Sequence, residues 1–259
     1  MTEELLYDKR GDVAWVTFNR PKARNALTFA MYEGLAEICG RIGTTREAKA
    51  LVITGAGDKA FAAGTDIAQF KEFKDGEDGI AYERKMDRTL DTIERCKVPT
   101  IAAIAGFCTG GGAAIASVCD LRLATTNAQF GFPIARTLGN CLSMANYARL
   151  AALIGPQRTK EVIFLAKLID GPTALNIGLV SELLADAASL HSRAEEVART
   201  VASHAPITLQ VTKEALRRLQ ARLGDDDIDD LIRLAYGSND FREGMAAFLG
   251  KRAPKWSGT

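Results

Sequence analysis

An α/β core followed by a helical C-terminal portion is the fold class this sequence predicts. Three observations predict it. Short β-branched or continuously apolar runs (VAWVTF, ALVIT, TIAAI, DLRLAT) recur along the first half. Segments of helical period stand between them up to about Val180. From Leu190 to Leu249 the helical period continues with no strand between.

The elements follow in order. Val13 to Phe18 is β-branched and aromatic, and Gly11-Asp12 before it is a turn, so with Leu5 to Asp8 it reads as a hairpin. Asn19-Arg20-Pro21 ends the strand, residues 21–25 form a loop, and Thr28 caps a helix running towards Ile42. Ala50 to Thr54 is a buried strand stopped by Gly55-Ala56-Gly57. Phe61-Ala62-Ala63-Gly64 is a small-residue turn, and Asp66 to Lys71 begins the next helix. Lys71 to Gly79 (KEFKDGEDG) is polar and glycine-bearing, which predicts a mobile surface loop. Tyr82 to Arg95 is helical, with one highly charged face. Pro99 to Ile104 is a strand, Gly106 to Gly112 a glycine-rich turn, and Ala113 to Val118 a small-residue helix. Asp120 to Thr125 is a strand followed by Gln129-Phe130-Gly131. Leu142 to Leu153 and Gln157 to Ala166 are helices around Gly155-Pro156. The acids from Asp225 to Asp230, after Gly224, read as the first turn of a helix, where the dipole favours negative charge, rather than as a cation site.

Composition narrows the function. At 259 residues the chain sits between one domain and two. Lys plus Arg number 33 and Asp plus Glu 32, a net charge of +1, which excludes a generally basic nucleic-acid binder and a disordered acidic chain. No apolar run reaches the roughly 18 residues of a membrane span. The N-terminus lacks a basic region followed by an apolar one, so a cytoplasmic protein is expected. The five cysteines, Cys39, Cys96, Cys108, Cys119 and Cys141, are odd in number and form no CxxC pair. They read as buried reduced thiols rather than a disulfide framework or zinc site. With only His191 and His204, a histidine-rich metal site or a Ser-His-Asp hydrolase is disfavoured. Neither a G-x-S-x-G elbow, a P-loop nor a strand-linked G-x-G-x-x-G occurs. No metal and no resident cofactor are expected.

Two segments carry the chemistry. Ala60 to Ile67 (AFAAGTDI) and Ala105 to Ala114 (AGFCTGGGAA) are each strand-to-helix turns of small residues. Such turns present backbone N–H groups at a helix N-terminus, and glycine lets a ligand approach the backbone. Two of them facing each other make an oxyanion hole.

With their neighbours, these segments closely resemble the crotonase superfamily, which includes enoyl-CoA hydratases and isomerases. The resemblance runs through Asn19-Arg20-Pro21-Lys22-Ala23-Arg24-Asn25-Ala26-Leu27, AFAAGTDI, the GGG segment ending at Cys119-Asp120, Ala128-Gln129-Phe130-Gly131, Gly178-Leu179-Val180 and Glu243 to Phe248. It covers almost the whole chain in the right order. It implies a spiral of ββα units over residues 1–195, with residues 196–259 a helical region for association into a trimer or a hexamer of paired trimers. It implies an acyl-CoA thioester whose oxygen is held by the amides of Thr65 and Gly111. The substrate-binding positions it implies are Ala23, Arg24, Ala26, Ala63, Gly64, Asp66, Ile67, Gly110, Pro133 and Ile134. Arg24 is placed to pair with a nucleotide phosphate, Asp66 to cap a helix. Lys251, Arg252 and Lys255 are further candidates for CoA contact, possible also as a solvated tail.

The chain departs from the family at the two glutamates with which its hydratases position water and move protons. The first position holds Ala114. The second holds Ile134 or, because the spacing to Gly139 is one residue longer, Ala135. None of these transfers a proton, and each lost general acid–base is worth roughly 10²–10⁴ in rate. The remaining polar candidates are Cys108, Thr109, Arg136, Thr137, Asn140, Cys141 and Ser143, with Glu72, Glu83 and Asp87 as acids from elsewhere. Three readings stay open: an oxyanion-stabilising enzyme whose reaction does not need the two glutamates, a divergent hydratase or isomerase, and a non-catalytic acyl-CoA-binding protein.

Overall fold

The computed structural model describes residues 3–223 and 227–259. The strands are β1 (Leu5–Arg10), β2 (Val13–Phe18), β3 (Ala50–Gly55), β4 (Ala60–Ala62), β5 (Thr100–Ile104), β6 (Phe107–Thr109), β7 (Leu121–Thr125), β8 (Gln129–Gly131), β9 (Ile169–Asp170) and β10 (Glu182–Leu184). The helices are α1 (Phe29–Thr45), α2 (Gly76–Glu94), α3 (Gly111–Val118), α4 (Ile134–Thr137), α5 (Met144–Phe164), α6 (Gly171–Asn176), α7 (Ala187–Ala202), α8 (Pro206–Ala221), α9 (Asp229–Tyr236) and α10 (Asn239–Leu249).

Successive strands split between two sheets. One has the order β1-β2-β3-β5-β7-β10, the other β4-β6-β8-β9. The β1–β2 hairpin and the β8–β9 pair are antiparallel; the remaining pairs are parallel. The pairs β3–β4, β5–β6 and β7–β8 therefore each give one strand to each sheet, and a helix follows each pair. This is the expected spiral of ββα units.

The large sheet is buried on both faces. Ala14, Val16 and Phe18 of β2 and Leu51 and Ile53 of β3 join the main core. Their alternates Val13, Trp15, Ala50 and Val52 pack with Leu190, Ala194 and Ala198 of α7. Strand period explains the division, and burial of both faces explains why these runs read as continuously apolar. Residue 195 lies inside α7, whose buried residues on both sides of it cover that one sheet face. In a third cluster, Phe70, Ile80, Ile232, Tyr236 and Phe241 tie α2 to α9 and α10.

Several expectations need correction. The polar segment 71–79 is loop only to Lys74. The Asp75 carboxylate accepts from the amides of Glu77 (2.9 Å) and Asp78 (3.4 Å) and starts α2 at Gly76. Gly79 is buried because Tyr236 packs on it: a β-carbon there would stand 2.3 Å from the ring. That partner comes from a distant helix, which local polarity does not disclose. The segment 61–64 begins as β4, and the glycine-rich turn contains β6. The expected break at Gly155-Pro156 is present: within α5, Gly155 is non-helical (φ 80°, ψ 157°) and separates two helical stretches. Strands β9 and β10 were not anticipated; at two and three residues they are too short to show a period. Of the acid run, Gly224, Asp225 and Asp226 lie outside the described residues, while Asp229 and Asp230 occupy the first turn of α9.

Candidate active site

The two small-residue turns meet. A β-carbon on Gly110 would stand 3.4 Å from the α-carbon of Gly64. Thr65 belongs to a parallel bridge with Leu27, in which Leu27 N donates to Gly64 O (2.8 Å) and Asp66 N to Leu27 O (2.8 Å). The bridge uses the groups flanking Thr65 and leaves the Thr65 N–H free. Gly111 is the first residue of α3, so its N–H is one of the orphan donors of a helix start. Among the described residues neither amide has a hydrogen-bond acceptor. Both amides are thus unspent on touching turns, and that of Gly111 stands at the N-terminus of α3, where the helix dipole favours negative charge.

A cavity of about 540 Å³ opens over these amides. The site positions that the family resemblance implies line it: Ala23, Arg24 and Ala26; Ala63, Gly64, Thr65, Asp66 and Ile67; Gly110, Gly111 and Ala114; Pro133 and Ile134. Asp66 accepts from Ala68 N (3.1 Å), capping a short 3₁₀ turn (Ile67–Phe70), and pairs with Arg20 (3.0 Å). Arg24 takes a left-handed conformation (φ 49°), and its guanidinium lies 5.1 Å from the Phe107 ring centroid.

The wall carries apolar side chains at two of the positions singled out from the sequence. Ala114 and Ile134 are 8% and 7% exposed and line the cavity, whereas Ala135 is exposed and does not. Ile134 is thus the cavity-facing residue of the pair. Thr109, Thr137 and Asn140 also reach the cavity. Cys108 is buried in the core, and Arg136 and Glu72 are exposed away from the cavity. Cys141 lies off the cavity wall, and burial, then the neighbouring Glu83, push its thiol up to about 12, the reverse of an activated nucleophile. Lys251, Arg252 and Lys255 lie outside the cavity, and Arg252 pairs with Glu243 at 2.5 Å.

Three tyrosines were not anticipated. Tyr32 Oη lies 2.9 Å from Thr65 Oγ1, which lies 3.2 Å from Tyr82 Oη. A β-carbon at position 111 would fall 1.7 Å from Tyr32 Oη, so only glycine fits beneath that hydroxyl. Burial pushes the Tyr32 and Tyr82 phenols up, so both stay neutral. Tyr236 of α9 donates to Glu83 Oε1 at 2.5 Å, and Asn140 Nδ2 donates to Tyr236 Oη at 3.1 Å. Glu83 is 4% exposed and lines the cavity. Its own helix carried a readable signal: with Ile80, Met86, Leu90 and Ile93 it stands on the buried stripe of α2, an acid at an apolar position. Burial raises its carboxyl to about 8; the Tyr236 hydroxyl and the Ser143 amide oppose that rise, and the charge of Asp87 adds to it.

The family model for enoyl-CoA hydratase/isomerase matches residues 8–259. A short-chain-enoyl-CoA hydratase of Clostridium acetobutylicum is 36% identical over 258 residues, covering 96% of this chain and 95% of the relative. An (E)-benzylidenesuccinyl-CoA hydratase of Thauera aromatica is 36% identical over 265 residues, covering 95% of this chain and 96% of the relative. Among solved structures, a methylmalonyl-CoA decarboxylase in complex with 2-nitronate-propionyl-CoA superposes with a TM-score of 0.89 at 25% identity, over 100% of both chains. In sequence and in architecture, the chain belongs to the enoyl-CoA hydratase/isomerase family of the crotonase superfamily.

Proposed function

We propose that this chain is an enzyme acting on an acyl-CoA thioester, whose oxygen is held by the amides of Thr65 and Gly111 as an enolate forms. The pair of unspent amides on touching turns carries this reading. One such donor is typically worth ~2.7–4 kcal/mol in the transition state. The CoA portion enters with the substrate and runs along the Ala23–Ala26 loop, with Arg24 near a phosphate. The names of the relatives, two CoA-thioester hydratases and a decarboxylase, support the ligand class.

Apolar side chains at Ala114 and Ile134 argue against a two-glutamate hydration of crotonyl-CoA. A second reading, a hydratase or isomerase using an acid from elsewhere, is favoured by Glu83 in the same cavity. A spectrophotometric hydration assay with crotonyl-CoA, beside a binding measurement, tests both. Tight binding with turnover far below the usual enzyme range of ~1–10³ per second supports the first reading. Joint Ala114→Glu and Ile134→Glu substitution then raises hydration, and Ala135→Glu does not. Wild-type turnover within the usual range overturns it and favours the second. Failure to bind any CoA thioester overturns both.

Association follows the family. Ile207, Val211, Leu216 and Leu219 of α8 are exposed, an apolar surface that a trimer or paired trimers would bury. A monomer in sedimentation at micromolar concentration contradicts this.

A further inference from the structure

Glu83 is an ionisable side chain where a leucine would pack. It is held by hydrogen bonds rather than by a cation. Oε1 accepts from Tyr236 Oη, and Oε2 accepts from Ser143 N at 3.2 Å. Because Asn140 Nδ2 donates to Tyr236 Oη, the single phenol proton goes to Glu83.

Titratable and charged groups surround Glu83, Tyr32 of α1 among them. On α2, Tyr82 and Asp87 neighbour Glu83, and Asp87 is occupied by Ser143 Oγ at 2.7 Å. Cys141 and Ser143 come from the segment before α5, Tyr147 and Arg149 from α5, and Tyr236 from α9. Arg149 is committed to Glu94 at 2.8 Å and lies 3.9 Å from Asp87. Asn140 Oδ1 is the one buried side-chain polar atom without a partner among the described residues, and Asn140 lines the cavity beside this network. A donor brought by a ligand would remove that deficit.

We propose that Glu83 is the proton-transfer residue of this cavity, exchanging a proton with the carbon next to the thioester carbonyl while the thioester oxygen rests on the Thr65 and Gly111 amides. The proposal rests on the acyl-CoA reading above. In the forward step the Glu83 carboxylate takes a proton from C2. The C–H bonding pair becomes the C1–C2 double bond, and the carbonyl π pair moves onto the oxygen held by the two amides. The reverse step returns the proton to C2 and restores the carboxylate. No oxidant, reductant or second reactant is needed. The carboxyl sits near neutral pH, at about 8, because of its burial, which suits a group that must both take and give a proton.

The test is hydrogen–deuterium exchange at C2 of butyryl-CoA in D₂O, followed by mass spectrometry, with butyryl-CoA affinity measured on the same proteins. Wild type exchanges, and its rate rises with pH to a plateau above about 8, because abstraction needs the carboxylate. Glu83→Gln lowers exchange by roughly 10²–10⁴ with affinity changed a few-fold at most. Retained affinity shows that the variant is folded. Glu83→Asp, which keeps the carboxyl one methylene shorter, recovers part of the exchange. Tyr236→Phe removes a hydrogen bond that favours the charged form and moves the pH limb upward, which a purely structural role would not do. Exchange in Glu83→Gln within three-fold of wild type overturns the proposal, as does a wild type that binds butyryl-CoA and exchanges nothing. Absence of CoA-thioester binding by wild type overturns the parent reading, and this proposal with it.

Discussion

The floor and the roof of the cavity are built on opposite principles. The floor is backbone: two small-residue turns, from β4 and from β6 into α3, pressed together so that the N–H groups of Thr65 and Gly111 stay free. The roof is side chain: Glu83 from α2 and Asn140 from the segment after α4 line the cavity, and Tyr236 of α9, which does not line it, is hydrogen-bonded to both. A backbone site has its chemistry set by geometry and keeps it at any pH. A side-chain site draws its chemistry from burial and titrates.

Beyond the Glu83→Gln loss of exchange, the largest expected effect breaks the floor. Gly111→Ala places a β-carbon against Tyr32 Oη. Forced backbone movement of about an ångström at an aligned donor costs on the order of 10² in rate. Overpacking costs a further ~1–3 kcal/mol in stability. Turnover and thermal melting measure the two separately. Adding Tyr32→Phe recovers part of the melting temperature and little of the turnover.

The next effect separates the roof by its pH dependence. Glu83 keeps its proton in the folded protein up to about 8, against 4.5 as its ordinary value. Between these values the folded state binds more protons than the unfolded one, so this group lowers stability as pH rises through the window and adds no slope above it. Glu83→Gln removes that slope. It raises the melting temperature at pH 9, by an effect on the order of a few kcal/mol, and leaves it nearly unchanged at pH 4. Equal gains at both pH values contradict the buried-acid account.

Tyr236→Phe is expected to act more gently. Its hydroxyl pulls the Glu83 carboxyl down, so its loss moves the apparent titration upward by about one to two units, the worth of one hydrogen bond to a charged group. Infrared titration of the carboxyl band reads this directly. The smallest effect lies at the edge of the floor. Arg24→Ala should weaken CoA-thioester binding only several-fold, as expected for an exposed charge worth ~0.2–1 kcal/mol. It should leave the pH profile in place. A changed profile contradicts the separation of floor from roof.

Legibility in the sequence follows the same division. The turns are local, so AFAAGTDI and GFCTGGGAA reveal their glycines and positions, and Thr28 and Asp66 announce themselves as caps. The alternation of Val13 to Phe18 and of Ala50 to Thr54 shows strands because both sheet faces are covered. The roof depends on contacts between α2 and α9. No local pattern marks Tyr236, and the polarity of 71–79 hides two buried glycines. Glu83 was visible only as a candidate acid; its place on the buried stripe of α2 was the signal that singles it out. Ile134 and Ala135 are neighbours in sequence, and only the turn into α4 decides which of them faces the cavity.

Helix α9 turns Leu231 and Leu234 outward and Ile232 and Tyr236 inward. Tyr236 thereby binds two parts of α2 at once: its hydroxyl donates to Glu83 Oε1, and its ring packs on Gly79. A chain lacking α9 would keep the residues of both sheets, both turns and the Ala23–Ala26 loop, and would lose both of these contacts.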